Sequence, residues 1–192
     1  ALVEHLLERV DGLVIGGGMA FTFLKSLGHG VGRSLLEPDR VEAARPVLDK
    51  ARARGIPVRL PVDVVVASGL DTTTGIRTVG IREIPHDLVG LDIGSASVTQ
   101  FATAVKGART IVWNGPMGVF EKEPFAAGTV GIGRAVADSG AFSVIGGGDT
   151  IAAVQKAGVM DKIGYVSTAG GAFLEFLEGR VLPGVAALDD AA

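Results

Sequence analysis

The chain has 192 residues, of which 47% are hydrophobic and 20% are charged, so it can form a sizeable core, and intrinsic disorder is excluded. Its 18 basic and 21 acidic residues give a net charge of −3, which argues against nucleic-acid binding. The absence of cysteine excludes disulfides and thiol chemistry. No apolar run approaches the roughly 18 residues that a membrane-spanning helix needs. We therefore expect a protein that binds neither nucleic acid nor membrane. A cytoplasmic location, with which the missing cysteine is consistent, and a monomeric state are further expectations.

The first half of the sequence alternates short apolar strands with helices. Leu13–Ile15 reads as a buried strand ending in three glycines, and helices are predicted over 19–27 and 38–54. Residues 58–67 hold two apolar stretches around a proline. Residues 68–90 are rich in Thr, Gly and charge, and the alternation over 76–79 indicates a half-exposed strand. We expect this segment to form a surface hairpin.

The second half repeats the same pattern. Strands are predicted at 110–113, 142–145 and 165–166, and helices at 95–105, 125–139, 149–157 and 172–178. The helix at 172–178 is the last one predicted, and the small, acidic end of the tail at 182–192 indicates a mobile tip. Strand, glycine-rich turn and helix in repetition predict an α/β fold, a three-layer Rossmann-like, mostly parallel sheet with helices on both faces.

Four glycine-containing turns follow predicted strands, at 16–18, 114–118, 146–148 and 167–171. The carboxyl ends of parallel strands lie at one edge of a sheet, and ligands of such sheets bind there. We expect the four turns to line a single edge.

The turn at Gly146-Gly147-Gly148, followed by Asp149 and Thr150, is the most informative of the four. Three glycines at a predicted helix N-terminus leave backbone N–H groups accessible to a phosphate. Asp149 has two interpretations. It either caps the helix or holds Mg²⁺ beside a phosphate, because Mg²⁺ usually takes one or two carboxylates together with phosphate oxygens.

The other turns are less specific. The glycines at 16–18 match neither the P-loop nor the dinucleotide fingerprint, since Phe21 stands where the latter needs a third glycine. Asn114 and Glu121 are either ordinary turn and helix-start residues or polar contacts to a phosphate and a ribose. The turn at 167–171 has two equally good interpretations. Its hydroxyl and N–H groups either bind a phosphate or have a purely structural role.

Two other functions were considered, and each predicts different features in the sequence. A dinucleotide-binding oxidoreductase domain is disfavoured because neither the Gly-x-Gly-x-x-Gly spacing nor a following strand that ends in an acidic residue fits the sequence. A non-catalytic interaction module that keeps the fold remains an alternative, although Asn114, Glu121, Asp149 and Thr150 argue for a ligand.

Taken in order, the motifs resemble phosphoglycerate kinase. The matching stretches are IGGGMAFTFLK at 15–25, LPVDVVVA at 60–67, GLDIG at 90–94, WNGPMGVFE at 113–121, FSVIGGGDT at 142–150, VSTAGGAFLEFLEG at 166–179 and LPGVAAL at 182–188. The resemblance implies that residues 1–192 form the nucleotide-binding, C-terminal domain of such an enzyme, with the hairpin as an excursion. It also implies ADP or ATP as substrate, Mg²⁺ as cofactor and a role in glycolytic phosphoryl transfer.

The resemblance also implies roles for individual residues. Gly17, Gly18, Gly90 and Leu91 form an adenine slot, Asn114, Pro116 and Val119 lie beside the nucleotide, and Glu121 contacts the ribose. Gly147 and Gly148 are the expected catalytic groups, offering N–H donors to the migrating phosphoryl group. Gly146 belongs to the same turn, Asp149 is the expected metal ligand, and Thr150 contacts phosphate. Thr168, Gly170 and Gly171 lie near the phosphate path.

The chain departs from the family pattern in ways that bear on catalysis. The expected phosphoglycerate-binding N-terminal domain and a lysine-bearing Gly-Gly-Ala-Lys segment do not occur in the sequence. Ala169 replaces a glycine, and Ser95 stands where the family has proline. Because transfer needs positioning and neutralising cations, we expect the isolated chain to bind nucleotide without turnover. The second substrate, 3-phosphoglycerate or 1,3-bisphosphoglycerate, is expected only with the missing domain.

Overall fold

The computed structural model describes residues 2–189. The α-helices are α1 (Leu2–Leu6), α2 (Gly17–Ser26), α3 (Pro38–Ala53), α4 (Ser95–Val105), α5 (Ala127–Asp138), α6 (Gly148–Ala157), α7 (Gly171–Leu177) and α8 (Pro183–Asp189). The strands are β1 (Leu13–Val14), β2 (Val58–Arg59), β3 (Asp63–Ala67), β4 (Arg77–Gly80), β5 (Val89–Ile93), β6 (Thr110–Asn114), β7 (Phe142–Gly146) and β8 (Tyr165–Ser167). Short 3₁₀ helices cover Glu123–Phe125 and Met160–Lys162.

Most of these elements were predicted from the sequence. Helix α4 has the predicted ends, and α3 ends one residue before the predicted Arg54. The tail prediction was wrong in one respect, because α8 follows the helix that was expected to be the last. Pro183 starts α8, a position where its fixed φ and missing N–H are tolerated. The predicted mobile tip, residues 190–192, lies outside the described residues.

Three of the five strand pairings are parallel, in agreement with the predicted α/β class. β1 pairs with β2, and β6, β7 and β8 form a second parallel sheet in that order. The register of this second sheet places Asn114 opposite Gly146, and Gly146 opposite Ser167. The last residues of three strands therefore form one row, which brings the turns that follow them to the same edge.

A third sheet is antiparallel and has the order β4-β3-β5. β4 is the half-exposed strand expected near 76–79, and it pairs with β3 from Asp63 opposite Gly80 to Val66 opposite Arg77. Between β4 and β5, Ile84 and Leu88 are buried against Val64 and other residues of the same core cluster. β5 was not predicted, and it leads directly from this segment into α4.

The helices cover the sheets through apolar faces. The largest cluster joins β6 and β7 to α4, α5 and α6 through Phe101, Trp113, Ile132, Ile145 and Val154. A second cluster packs α2 and α3 against β1. Each buried side chain of this size contributes about 1.5–3 kcal/mol of hydrophobic stabilisation. Within residues 2–189, no helix is both long enough and apolar enough to cross a bilayer.

Candidate functional site

The turns after β6 and β7 are joined by two hydrogen bonds. The Asn114 side-chain amide donates to the Gly146 carbonyl at 2.8 Å, and the Gly115 N–H donates to the Thr150 hydroxyl at 2.7 Å. Thr150 is almost fully buried. Its hydroxyl therefore fixes the loop after β6 to the first turn of α6.

Helix α6 starts at this junction. Gly147 is its N-cap residue, with a φ of +89° that an L side chain rarely adopts. Gly148 follows as the first helical residue, is exposed, and has open space where a Cβ would stand. The first N–H groups of a helix lack intrahelical partners and carry partial positive charge. The glycines thus leave the helix end open to an anion.

A cavity of about 270 Å³ lies in front of this helix end. It is lined by Asn114, Gly115, Gly147, Gly148, Asp149, Thr150, Gly170, Gly171 and Leu174. All of these except Gly115 and Leu174 are site residues predicted from the sequence. Gly115 lies in the predicted turn at 114–118 but was not singled out, and Leu174 was not predicted because a leucine in an apolar helical pattern carries no polar signal.

Asp149 is exposed and lines this cavity, and its carboxylate takes part in none of the hydrogen bonds or ion pairs found among residues 2–189. The N-cap position belongs to Gly147, so the capping role considered for Asp149 has no counterpart in the geometry. Among the described residues that line the cavity, none is a lysine or an arginine. Lys156 lies further along α6 and pairs with Glu123 at 2.9 Å.

A second group of predicted residues meets beside the cavity, where the loop after β6 crosses two other elements. The Gly17 N–H donates to the Met117 carbonyl at 3.2 Å, and the Val119 N–H donates to the Leu91 carbonyl at 2.8 Å. A Cβ on Gly17 would approach the Pro116 carbonyl to 2.8 Å. The loop thus brings the turn after β1 and strand β5 together.

Other predicted residues lie outside both groups. Gly90 is buried with the ring of Phe21 where a Cβ would stand, and Gly146 meets Phe173 in the same way. Gly18 faces Leu35, whereas Glu121 and Thr168 are exposed and do not line the cavity. Gly90 and Gly146 permit close packing, a role that the sequence could not distinguish from ligand contact.

The two residues that differ from the family pattern, Ser95 and Ala169, cause no backbone strain. Ser95 is the first residue of α4, where proline would also fit. Among the described residues, no residue other than glycine has a positive φ, so Ala169 is tolerated in its turn.

Asp92 was not predicted and is the only ionisable residue among the buried polar residues of the described chain. Its carboxylate accepts the Gly128 N–H at 2.7 Å and the Ile93 N–H at 2.9 Å. Burial raises the pKa of Asp92 to about 6, and the two backbone N–H groups oppose part of that rise. The only signal available in the sequence was an acidic residue between two apolar neighbours, Leu91 and Ile93.

Comparison with known proteins agrees with this geometry. The family model described as phosphoglycerate kinase matches residues 1–180. The chain belongs to the phosphoglycerate kinase family. The phosphoglycerate kinase of Synechococcus sp. (strain JA-3-3Ab) is 53% identical over 99% of this chain, and that of Pelobacter propionicus is 53% identical over 98%.

Solved structures of phosphoglycerate kinases have the same fold. The Coxiella burnetii structure superposes with a TM-score of 0.96 at 45% identity and covers the whole chain, and the Pyrococcus horikoshii structure gives 0.83 at 37% identity over 98% of it. The chain spans about half the length of the relatives it matches, 47% of the Synechococcus protein and 49% of the Coxiella protein.

Proposed function

We propose that this chain binds ADP and ATP as their Mg²⁺ complexes and is the nucleotide-binding half of a phosphoglycerate kinase. Such an enzyme reversibly transfers a phosphoryl group between 1,3-bisphosphoglycerate and ADP. The supporting observation is the convergence of three parallel strand ends on a cavity that opens at the N-terminus of α6. We further propose that the protein acts in the cytoplasm as a monomer.

The nucleotide phosphates are assigned to the cavity in front of α6. N–H groups of Gly147 and Gly148 suit an anion there, because the helix end is positive and the glycines present no Cβ toward the cavity. Asn114, Gly170 and Gly171 supply further polar edges of the same cavity. The hydroxyl of Thr150 acts mainly on the loop, through its bond to Gly115.

Mg²⁺ suits this site only in combination with a nucleotide. The described residues include no group of three or more His, Cys, Asp and Glu side chains that could hold an ion alone. Asp149 offers one exposed carboxylate at the cavity. A single carboxylate completed by phosphate oxygens is the usual donor set for Mg²⁺, so Asp149 is the proposed ligand.

The base and sugar are assigned to the neighbouring group. Gly17, Leu91, Pro116 and Val119 are brought together by the loop after β6, which also follows Asn114, and we call this group the base surface. Leu91 is buried, and the other three are half-buried. Gly18 and Gly90 pack against Leu35 and Phe21 and are assigned to the same site as the neighbours of Gly17 and Leu91 in the sequence. Glu121 follows the loop and is exposed, which suits a contact to ribose hydroxyls. Thr168 is assigned to the outer phosphate path.

Phosphoryl transfer also needs cations over the transferring oxygens and a second substrate held in line. The cavity lining has neither lysine nor arginine among the described residues, and Lys156 is engaged with Glu123. We therefore assign nucleotide binding to this chain and expect turnover to need the other half of the enzyme.

The test compares wild type and Asp149→Asn in calorimetric titrations with ADP, with and without Mg²⁺. We expect the variant to lose affinity for MgADP by about tenfold, one lost charged ligand being worth roughly 1.4 kcal/mol, and to keep its affinity for metal-free ADP. Equal losses in both titrations, or no loss in either, would contradict the assignment of Mg²⁺ to Asp149. Failure of the wild type to bind ADP would favour an interaction module.

A further inference from the structure

The loop after β6, the start of α5 and strand β5 meet at a single carboxylate, that of Asp92. One carboxylate oxygen accepts the Gly128 N–H from α5, and the other accepts the Ile93 N–H within β5. Asp92 has no ion-pair partner among the described residues. A charged group buried in this way costs stability unless it is fully hydrogen-bonded, so its presence calls for an explanation.

Two glycines leave the space that the carboxylate occupies. A Cβ on Gly118 or on Gly128 would collide with the same Asp92 oxygen, and a Cβ on Gly118 would also come within 2.6 Å of the Leu91 carbonyl. Neither glycine has a positive φ. Their φ angles do not require glycine, so lack of space explains both: Asp92 and the Leu91 carbonyl stand against Gly118, and Asp92 and the Ile93 side chain stand against Gly128.

The packing around Asp92 continues into the proposed base surface. Leu91 precedes Asp92 in β5, and its carbonyl accepts the Val119 N–H at 2.8 Å, one residue beyond Gly118. The same loop is held from α5 by a second bond, the Met117 N–H donating to the buried Thr129 hydroxyl at 3.0 Å. The separation between Leu91 and Val119 is thus fixed from β5 and α5 together.

We propose that Asp92 is a positioning residue for the nucleotide base, holding Leu91 and Val119 at the spacing that the base needs by joining β5, α5 and the loop after β6. This inference rests on the proposed nucleotide binding. It assigns Asp92 an effect on the base alone, because the phosphate cavity is built from other contacts, those of Asn114 and Thr150.

Asp63 offers a matched control in the same antiparallel sheet. It is also a strand carboxylate that accepts backbone N–H groups from the start of a helix, those of Ala96 at 3.1 Å and Ser97 at 2.8 Å in α4. Neither Leu91 nor Val119 hydrogen-bonds to Asp63 in the described residues. Asp63→Asn therefore reports the effect of weakening a helix start away from the proposed base surface.

The experiment measures dissociation constants of MgADP and of Mg²⁺-tripolyphosphate, which lacks base and ribose, for the wild type, Asp92→Asn and Asp63→Asn. We expect Asp92→Asn to weaken MgADP binding by about tenfold and tripolyphosphate binding by less than about twofold. Asp63→Asn should leave both constants within about twofold of the wild type. Gly128→Ala, which crowds the carboxylate from the α5 side, should reproduce the base-selective loss even if Asp92→Asn folds poorly.

The two proposals fail in different ways. If the wild type binds MgADP but Asp92→Asn and Gly128→Ala leave its affinity unchanged, or weaken both ligands equally, the positioning role is wrong and nucleotide binding stands. If the wild type binds neither ligand, the proposed function is wrong and the positioning role falls with it.

Discussion

The Thr150 hydroxyl accepts a hydrogen bond of 2.7 Å from the Gly115 N–H, which links the first turn of α6 to the loop after β6. The two residues are 35 positions apart in the chain. Each belongs to a different turn at the carboxyl edge of the β6-β7-β8 sheet. This bond therefore sets the spacing between the proposed phosphate cavity and the loop that carries the proposed base surface.

Replacing Thr150 by valine, which has nearly the same shape, should break this link. The Gly115 N–H would lose its partner, and an unsatisfied, partly buried donor costs about 1–3 kcal/mol. We expect the free energy of unfolding in urea to fall by this amount and MgADP affinity to fall with it. Thr150→Ser keeps the hydroxyl and should retain most of the affinity; equal affinity in the valine and serine variants would contradict the role of the bond.

Gly147 and Gly148 should respond differently to alanine. Gly147→Ala places a Cβ on a residue with a φ of +89°, and such strain costs about 1–3 kcal/mol. We expect a correspondingly lower free energy of unfolding, measured by chemical denaturation. An unchanged free energy would show that the N-cap conformation of α6 differs from the one described.

Gly148→Ala separates stability from ligand binding. This residue is helical and has open space where the alanine Cβ would stand, so the substitution should leave stability unchanged or raise it by about 0.4–1 kcal/mol. If a phosphate approaches Gly148, the added methyl group should nevertheless weaken MgADP binding in a calorimetric titration. Unchanged affinity would remove Gly148 from the phosphate site.

These glycines also show how much of the site could be predicted from the sequence. A glycine run between an apolar strand and a helical pattern identifies a turn, because only the backbone conformation and the local pattern are needed. It could not show that Gly90 packs against Phe21 whereas Gly148 faces a cavity. That difference depends on elements distant in the sequence.

Strand β5 is an element that could not be predicted from the sequence. Gly90 and Asp92 interrupt its apolar pattern, so Val89–Ile93 was not predicted as a strand. Its conformation is set by antiparallel pairing with β3, which includes a register shift between Val65 and Val66. The role of Asp92 was missed for the same reason, since its partners come from α5 and the loop after β6.

The pKa of Asp92 should make stability depend on pH. Burial raises this pKa from 3.8 to about 6, so the folded chain holds the proton more tightly than the unfolded chain. The resulting stabilisation is fully present below about pH 3.8 and is lost as the pH rises through about 6, a change of roughly 3 kcal/mol for two pKa units. Asp92→Asn cannot lose a proton, so this contribution should be absent.

Urea unfolding of the wild type and Asp92→Asn between about pH 3 and 7.5 measures this contribution. The free energy of unfolding of the wild type should fall relative to that of the variant as the pH rises. Two curves that stay parallel over this range would show that Asp92 has an ordinary pKa.

The isolated chain should bind nucleotide without catalysing transfer. No lysine or arginine lines the cavity in the described residues, and such cations are worth several powers of ten in phosphoryl transfer. A coupled assay with 3-phosphoglycerate and MgATP should show no turnover above background. Adding the other half of a family member should restore some activity, whereas robust turnover by the 192-residue chain alone would mean that its catalytic groups lie elsewhere in the chain.

The central claim is that the carboxyl edge of the sheet binds a nucleotide, and calorimetric titration of the wild-type chain with MgADP tests it most directly. Convergence of Asn114, Gly148 and Gly171 on one cavity predicts saturable binding of one nucleotide per chain, with a dissociation constant below about 1 mM, which corresponds to roughly 4 kcal/mol. Absence of binding heat and of competition up to millimolar MgADP would contradict the claim.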